Sequence, residues 1–292
     1  MTENPDYHPG WLKKWPAPAK LNLMLRIVGR REDGYHLLQT VFQIIDLCDW
    51  LSFAPLQEDL VSLEQAIPGV AEEHDLTVRA ANLLKRETGY RGGVCITMEK
   101  NLPMGGGLGG GSSDAATTLM VLNALWELGL PQQRLMQLGV QLGADVPVFI
   151  YGHSAWAEGV GEFLQQMSLP EQWFVVLKPD CHVSTQEIFS DENLTRNSKP
   201  IKIGDFIAGD WRNDCLTVVR QHYRPVDEAL QVLGSYGDAR LTGTGGCVFA
   251  QFADKAAAEQ AYGALARDWR VYMARGLNVS PLLLQLKDIY KS

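Results

Sequence analysis

The sequence lacks any apolar run near the roughly 20 residues that a membrane-spanning helix needs. Its N-terminal residues lack the apolar segment of an export signal. Lysine and arginine are scattered and the net charge is −8, so no basic cluster could neutralise a row of nucleic-acid phosphates. These absences predict a cytoplasmic protein that binds neither a membrane nor a nucleic acid.

Cysteine pairs at metal-binding spacing are also missing. The five cysteines stand far apart, with no Cys-x-x-Cys or Cys/His pattern typical of zinc. An odd, scattered set indicates buried and reduced thiols rather than a disulfide framework, which agrees with a cytoplasmic location. No residue is assigned as a metal ligand on this basis.

The 292 residues are 46% hydrophobic, which suffices for two domains. Predicted helices and strands are interspersed along the chain, and this pattern predicts an α+β fold in two lobes. A boundary near Pro170 divides the chain into residues 1–170 and 171–292. Early in the chain, residues 19–27 alternate in polarity, which predicts a strand with Lys20 and Asn22 on one face.

Further elements follow from periodicity and from turn residues. The predicted elements are a helix over residues 75–89, a strand over 93–100, helices from 112 and over 131–142, a hairpin over 154–167, and strands and helices around a second glycine-rich loop at 241–249. The final helix and strand are predicted at residues 254–266 and 269–275.

A run of glycine joins a strand to a helix. Six of the seven residues from 105 to 111 are glycine, and the apolar, alanine-rich stretch after them has helical spacing. Glycine lets the backbone approach a ligand, and the first N–H groups of a helix have no internal partner. Because a helix N-terminus also attracts negative charge, the run predicts a cradle for phosphate.

Other phosphate motifs fit this loop less well. The glycines satisfy the dinucleotide pattern, but Glu127 falls inside the predicted helix, where the ribose-binding acid should end a second strand. No lysine follows the glycines as a P-loop requires, and the protein-kinase motifs are absent. A ligand-free turn is disfavoured because so many glycines cost much backbone entropy.

The segment "PMGGGLGGGSSDAA" resembles the GHMP kinase superfamily, whose central motif is a Pro-x-x-x-Gly-Leu-Gly-Ser-Ser-like loop. The segments "PAPAKLNLMLRIVGRREDGYH", "LGADVPVF", "AEGVGE" and "LTGTGGCVF" extend the resemblance over nearly the whole chain. They are similar to the members that act in non-mevalonate isoprenoid precursor biosynthesis. The resemblance implies an N-terminal α/β lobe and a ferredoxin-like C-terminal lobe, with the site in the cleft between them.

It also implies a reaction. ATP, with Mg²⁺, would phosphorylate the tertiary 2-hydroxyl of a methylerythritol unit that carries a cytidine diphosphate group. Asp145 would be the base and Lys20 its partner, since a nearby cation stabilises an ionised carboxylate. The resemblance assigns ATP binding to the following residues: Lys100, Pro103, Met104, Gly105, Gly106, Gly107, Leu108, Gly109, Gly110, Gly111, Ser112 and Ser113.

Acceptor binding is assigned in the same way to Asn22, Tyr35, His36, Thr185 and Phe189. Tyr35 and Phe189 would sandwich the cytosine, while His36 would read its edge. The second glycine loop would close near the transferred phosphate.

Two acidic residues are assigned a structural role. Asp114 is interpreted as a helix cap, and so is Asp75, where related kinases often carry asparagine near the adenine.

Alternatives within and outside the family remain open. Another GHMP kinase would act on homoserine, mevalonate or a sugar, and a catalytically inactive relative would only bind nucleotide. Lys20 and Asp145 favour a catalyst, and the "DGYH" segment favours a cytidine-bearing acceptor.

Overall fold

The computed structural model describes residues 9–289. Residues 1–8, at the N-terminus discussed above, lie outside the described residues. The described part of the chain contains no helix long and apolar enough to cross a membrane.

The strands form a connected sheet that is mostly antiparallel. They are β1 (Trp15–Arg30), β2 (His36–Leu56), β3 (Val61–Leu63), β4 (Gly93–Glu99), β5 (Ala155–Gly159), β6 (Phe163–Gln166), β7 (Trp173–Lys178), β8 (Ala239–Leu241), β9 (Val248–Phe252) and β10 (Arg270–Leu277). Strand β2 pairs with β1 along most of its length and also with β4, β5 and β10. In the later part of the chain, β7 lies between β10 and β9.

The helices cover the sheet in two groups. They are α1 (Leu76–Thr88), α2 (Gly110–Leu125), α3 (Gln132–Val140), α4 (Val146–Tyr151), α5 (Thr185–Ser190), α6 (Ile203–Ile207), α7 (Leu216–His222), α8 (Arg224–Gly234), α9 (Lys255–Leu265) and α10 (Pro281–Ile289). The first four pack with β1, β2 and β4, whereas α7, α8 and α9 pack on β7, β8, β9 and β10. These groups are the N-terminal and C-terminal lobes.

A third core cluster joins the lobes. Leu21 and Met24 of β1 are fully buried with Phe174 of β7 and Phe249 of β9. Strands β10 and β2 also pair, at Gly276 with Ile45. The lobes are therefore packed together, and β1 contributes to both of them.

The predicted α+β fold in two lobes is confirmed, and most elements lie where the sequence places them. Asp75 caps α1 by accepting hydrogen bonds from the backbone of Thr77 and Val78, and Gly89 ends the helix with a φ of 72°. The segment His36–Leu56 forms one continuous strand, β2. Strand β1 begins earlier than predicted, at Trp15, with a bulge after Pro18 that accommodates the proline.

Two predictions about helix ends are wrong. Helix α2 begins at Gly110 rather than Ser112, because Gly109 takes the cap position with a φ of 77°. Asp114 therefore lies inside the helix and caps nothing.

Helix α10 was not predicted from the sequence. Its residues Leu282 and Leu286 are buried against the N-terminal lobe. The division at residue 170 stays a prediction.

Candidate active site

The glycine run lines a cavity of about 270 Å³ at the start of α2. Within residues 9–289, none of the backbone N–H groups of residues 105–112 donates a hydrogen bond to another protein group. Unpaired N–H groups that surround one cavity at a helix N-terminus form an electropositive site. The arrangement suits an anion such as a polyphosphate.

Glycine is required in this loop for two reasons. Gly105, Gly107 and Gly109 have φ values of 65°, 75° and 77°, which side chains rarely adopt. A Cβ atom on Gly107 would also lie 2.9 Å from the carbonyl oxygens of Thr242 and Gly245. The glycines therefore allow the loop to pack against the second glycine loop. This close packing is a reason for glycine that is separate from phosphate binding.

Lys20 and Asp145 lie side by side next to this cavity. The Nζ atom of Lys20 is 3.2 Å from a carboxylate oxygen of Asp145, and it donates to Asn22 at 2.5 Å and to the Gly107 carbonyl at 3.0 Å. The Lys20 side chain is 3% exposed and that of Asp145 is 36% exposed. The lysine is thus fixed by protein contacts, while the carboxylate can reach a bound molecule.

The shared strand face of Lys20 and Asn22 is confirmed by their hydrogen bond. Asn22 itself is held by Thr40, which accepts from its amide at 2.9 Å, and by Thr242, whose hydroxyl accepts from its backbone N–H. Asn213 donates to the carbonyls of Leu241 and Gly243 and so holds the second glycine loop. Sequence reasoning missed Asn213, because nothing local distinguishes it.

Lys100 precedes the loop and is anchored by two buried carboxylates. Its ammonium contacts Asp49 and lies 2.5 Å from Asp114. Asp49 also accepts the backbone N–H groups of Asn101 and Leu102, which fixes the entry to the loop. Burial opposes the charge on Lys100, but the two carboxylates outweigh it and raise the pKa of Lys100. Burial raises the pKa of Asp114, although Lys100 partly offsets this.

A second cavity, of about 310 Å³, adjoins the glycine loop. Apolar residues from Ile67 to Met104 line it together with Asp75, Lys100 and Asp114. Since Lys100 and Gly111 line both cavities, the two spaces are neighbours. A partly apolar space beside an anion-binding cradle suits a nucleotide.

A third cavity, of about 470 Å³, brings together four of the five predicted acceptor residues: Tyr35, His36, Thr185 and Phe189. The rings of His36 and Phe189 are stacked, with centroids 4.8 Å apart and planes 21° apart. Tyr35 is 63% exposed. The hydroxyl of Thr185 lies 2.9 Å from that of Thr244, so this cavity adjoins the second glycine loop.

Two predicted residues lie elsewhere. Ser113 is fully buried and does not line the glycine-loop cavity, and its backbone N–H is used by α2. Asn22 does not line the third cavity but contacts Lys20. Within residues 9–289, no group of three histidine, cysteine or acidic residues is placed to hold a metal ion.

Comparison with known proteins agrees with this geometry. The family model described as "GHMP kinases N terminal domain" matches residues 75–153, and "GHMP kinases C terminal" matches residues 194–271. A protein of Methylococcus capsulatus, named 4-diphosphocytidyl-2-C-methyl-D-erythritol kinase, is 56% identical over 274 residues, which cover 94% of each chain. The chain belongs to the 4-diphosphocytidyl-2-C-methyl-D-erythritol kinase family, within the GHMP kinases.

Among solved structures, a member of this kinase family is more similar to the chain than a kinase from the wider superfamily is. A crystal structure of 4-(cytidine 5'-diphospho)-2C-methyl-D-erythritol kinase superposes with a TM-score of 0.79 at 32% identity, covering 90% of this chain and 99% of that one. A mevalonate kinase structure superposes with a TM-score of 0.67 at 16% identity, over 91% and 99% of the two chains. The second match shows the shared fold alone.

Proposed function

We propose that this protein transfers the γ-phosphoryl group of ATP to the 2-hydroxyl of 4-diphosphocytidyl-2-C-methyl-D-erythritol, a step in non-mevalonate isoprenoid precursor biosynthesis. One observation carries the proposal. Asp145 lines the glycine-loop cavity, and its neighbour Ala144 lines the cavity of Tyr35, His36 and Phe189. The carboxylate therefore lies where a phosphate donor and a cytidine-bearing acceptor would meet.

The donor side is supported by the loop and by its surroundings. The free N–H groups of residues 105–112 would bind the phosphates of ATP, and the adjoining apolar cavity would hold the adenine. Lys100 and Met104 line both of these spaces and would border the base. The buried Ser113 would support the loop rather than contact the nucleotide.

The transfer step follows from the Lys20 and Asp145 pair. Asp145 accepts the proton of the 2-hydroxyl, and the oxygen attacks the γ-phosphorus as the bond to the bridging oxygen of ADP breaks. Phosphoryl transfer depends mainly on positioning and on neutralising charge. Lys20 supplies a positive charge at a fixed place, since Asn22 and the Gly107 carbonyl hold its ammonium.

Mg²⁺ would accompany ATP. This ion usually keeps several waters and binds through one or two protein oxygens plus substrate phosphates, so a site without a cluster of acidic ligands fits it. The Ser112 hydroxyl, which lines the glycine-loop cavity, is an oxygen that could hold it. When bound, the ion would offset the negative charge of the phosphates.

A cytoplasmic location is proposed as well. The five free cysteines support it, because thiols stay reduced in that compartment.

The test is an assay of ADP release with purified protein, ATP and one acceptor at a time. We expect ADP release with the cytidyl substrate, with ³¹P NMR showing a phosphate ester on the tertiary carbon. Mevalonate, homoserine and a no-acceptor control should give only background. ATP binding without ADP release would indicate an inactive nucleotide-binding protein, and release with mevalonate would indicate another GHMP kinase.

A further inference from the structure

Arg196 contacts His36 and Phe189 of the third cavity, hereafter the acceptor cavity, but belongs to no predicted motif. Its Nε donates to His36 Nε2 at 3.2 Å. Its terminal nitrogens donate to the backbone carbonyls of Phe189, Leu194 and Asp191 at 2.7–3.2 Å. One guanidinium therefore ties His36, the first residue of β2, to the C-terminal end of α5.

The contact determines where the proton on His36 lies. A guanidinium has donors only and stays charged, so the His36 nitrogen that faces it must carry a lone pair. The imidazole is then neutral, with its hydrogen on Nδ1. Burial, followed by the charges of Arg196 and Arg30, lowers the pKa of His36, which agrees with a neutral ring at neutral pH. Within residues 9–289, Nδ1 has no hydrogen-bond partner.

The ring stacking orients this free donor. The planes of His36 and Phe189 differ by 21°, and their centroids are offset at 4.8 Å. A base stacked on the same face of Phe189 beside His36 would lie nearly in the plane of the imidazole. Edge-to-edge hydrogen bonding needs that geometry. The Nδ1–H group would then point at an acceptor on the base, which cytosine offers at N3 and uracil replaces with an N–H donor.

We propose that Arg196 is a specificity-determining positioning residue, which fixes His36 in the Nδ1–H tautomer and so selects cytosine over uracil in the acceptor. The inference rests on the proposed function, because it takes the third cavity as the site of a pyrimidine nucleoside diphosphate. Arg196 itself acts through His36 and through the position of Phe189.

The first measurement is made on the wild-type protein with ¹⁵N-labelled histidine, the His36 signals being identified by comparison with a His36→Asn variant. We expect NMR shifts of a neutral ring protonated at Nδ1. A ring protonated at Nε2 would overturn the proposal without any Arg196 variant.

The second measurement compares cytidyl and uridyl acceptors in kcat/KM. In Arg196→Lys, which keeps the charge but not the planar fork, the preference for cytidine should fall about tenfold, with the ATP KM unchanged. The matched control is Arg224→Lys, whose exposed side chain pairs with Glu228. It should keep the wild-type ratio.

A double variant distinguishes positioning from a structural role. In a His36→Ala background, Arg196→Lys should cause no further change in the base preference. A purely structural role would raise both acceptor KM values equally and would do so in either background, which would overturn the proposal. Absence of any base preference in the wild-type protein would instead count against the proposed cytidine site.

Discussion

The glycine-loop cavity and the acceptor cavity are built from different parts of the chain. The first is formed mainly by one continuous segment, residues 105–112, whose backbone N–H groups surround it. The second is formed mostly by side chains of four separate segments, around Tyr35, Ala144, Val160 and Phe189. A polyphosphate needs many equivalent donors, which a backbone supplies, whereas a base needs flat faces and distinct edges, which only side chains supply.

The difference has a consequence for mutation. A backbone site fails when the backbone path changes, so its sensitive residues are glycines. A side-chain site fails one contact at a time, so its losses should be smaller and confined to the acceptor. Asp145 lies between the two cavities. Its substitution should therefore change neither the ATP affinity nor the acceptor affinity, but it should slow the phosphoryl transfer between them.

Asp145→Asn should give the largest effect, a fall in kcat of about 10²–10⁴, because an amide cannot accept the hydroxyl proton. The Kd values for ATP and for the acceptor should change little. Single-turnover kinetics and calorimetry on the same preparation would measure both. Near-wild-type turnover in a folded variant would exclude Asp145 as the base.

Gly107→Ala should weaken ATP binding by more than about tenfold, because a φ of 75° and contacts of 2.9 Å with the second loop force the backbone to shift. Gly263→Ala in α9 is the control, since a Cβ atom there meets nothing within 4 Å. It should leave ATP affinity unchanged and raise stability by about 0.5–1 kcal/mol. Equal ATP affinity in both variants would show that the backbone of the glycine loop does not bind the phosphates of ATP.

Phe189→Ala should weaken acceptor binding about ten- to a hundredfold, the value of one stacked base, while the ATP KM stays constant. Phe163→Ala is the matched control, because Phe163 is 67% exposed and lines neither site. Acceptor and ATP Michaelis constants for both variants measure this. A parallel rise in the ATP constant would show that the two sites are not separate.

Asp75→Asn should have the smallest effect. Asparagine caps a helix about as well as aspartate, so the free energy of unfolding should change by less than about 0.5 kcal/mol, whereas Asp75→Ala should lose about 1 kcal/mol. Urea denaturation and ATP calorimetry would test this. A large change in ATP affinity for Asp75→Asn would show that the carboxylate contacts the nucleotide rather than only capping α1.

Local sequence signals predicted the elements that depend on local physics. The caps of α1 follow from Asp75 and Gly89, and the position of the glycine cradle follows from the glycine run itself. Helix α10 was missed even though Ser280 before Pro281 is a helix start signal, and its apolar residues are buried by packing on the N-terminal lobe. Asp114 was misinterpreted because its partner Lys100 reaches it only in the folded chain.

The sequence by itself determined the position of the glycine loop before α2 and the shared face of Lys20 and Asn22, because spacing along one segment controls both. Only the tertiary structure decided what the side chains meet. His36 and Arg196 are 160 residues apart, and Asn22 and Thr242 are 220 residues apart. Such contacts depend on how the lobes pack through β1 and on loop closure over long distances, which no local pattern encodes.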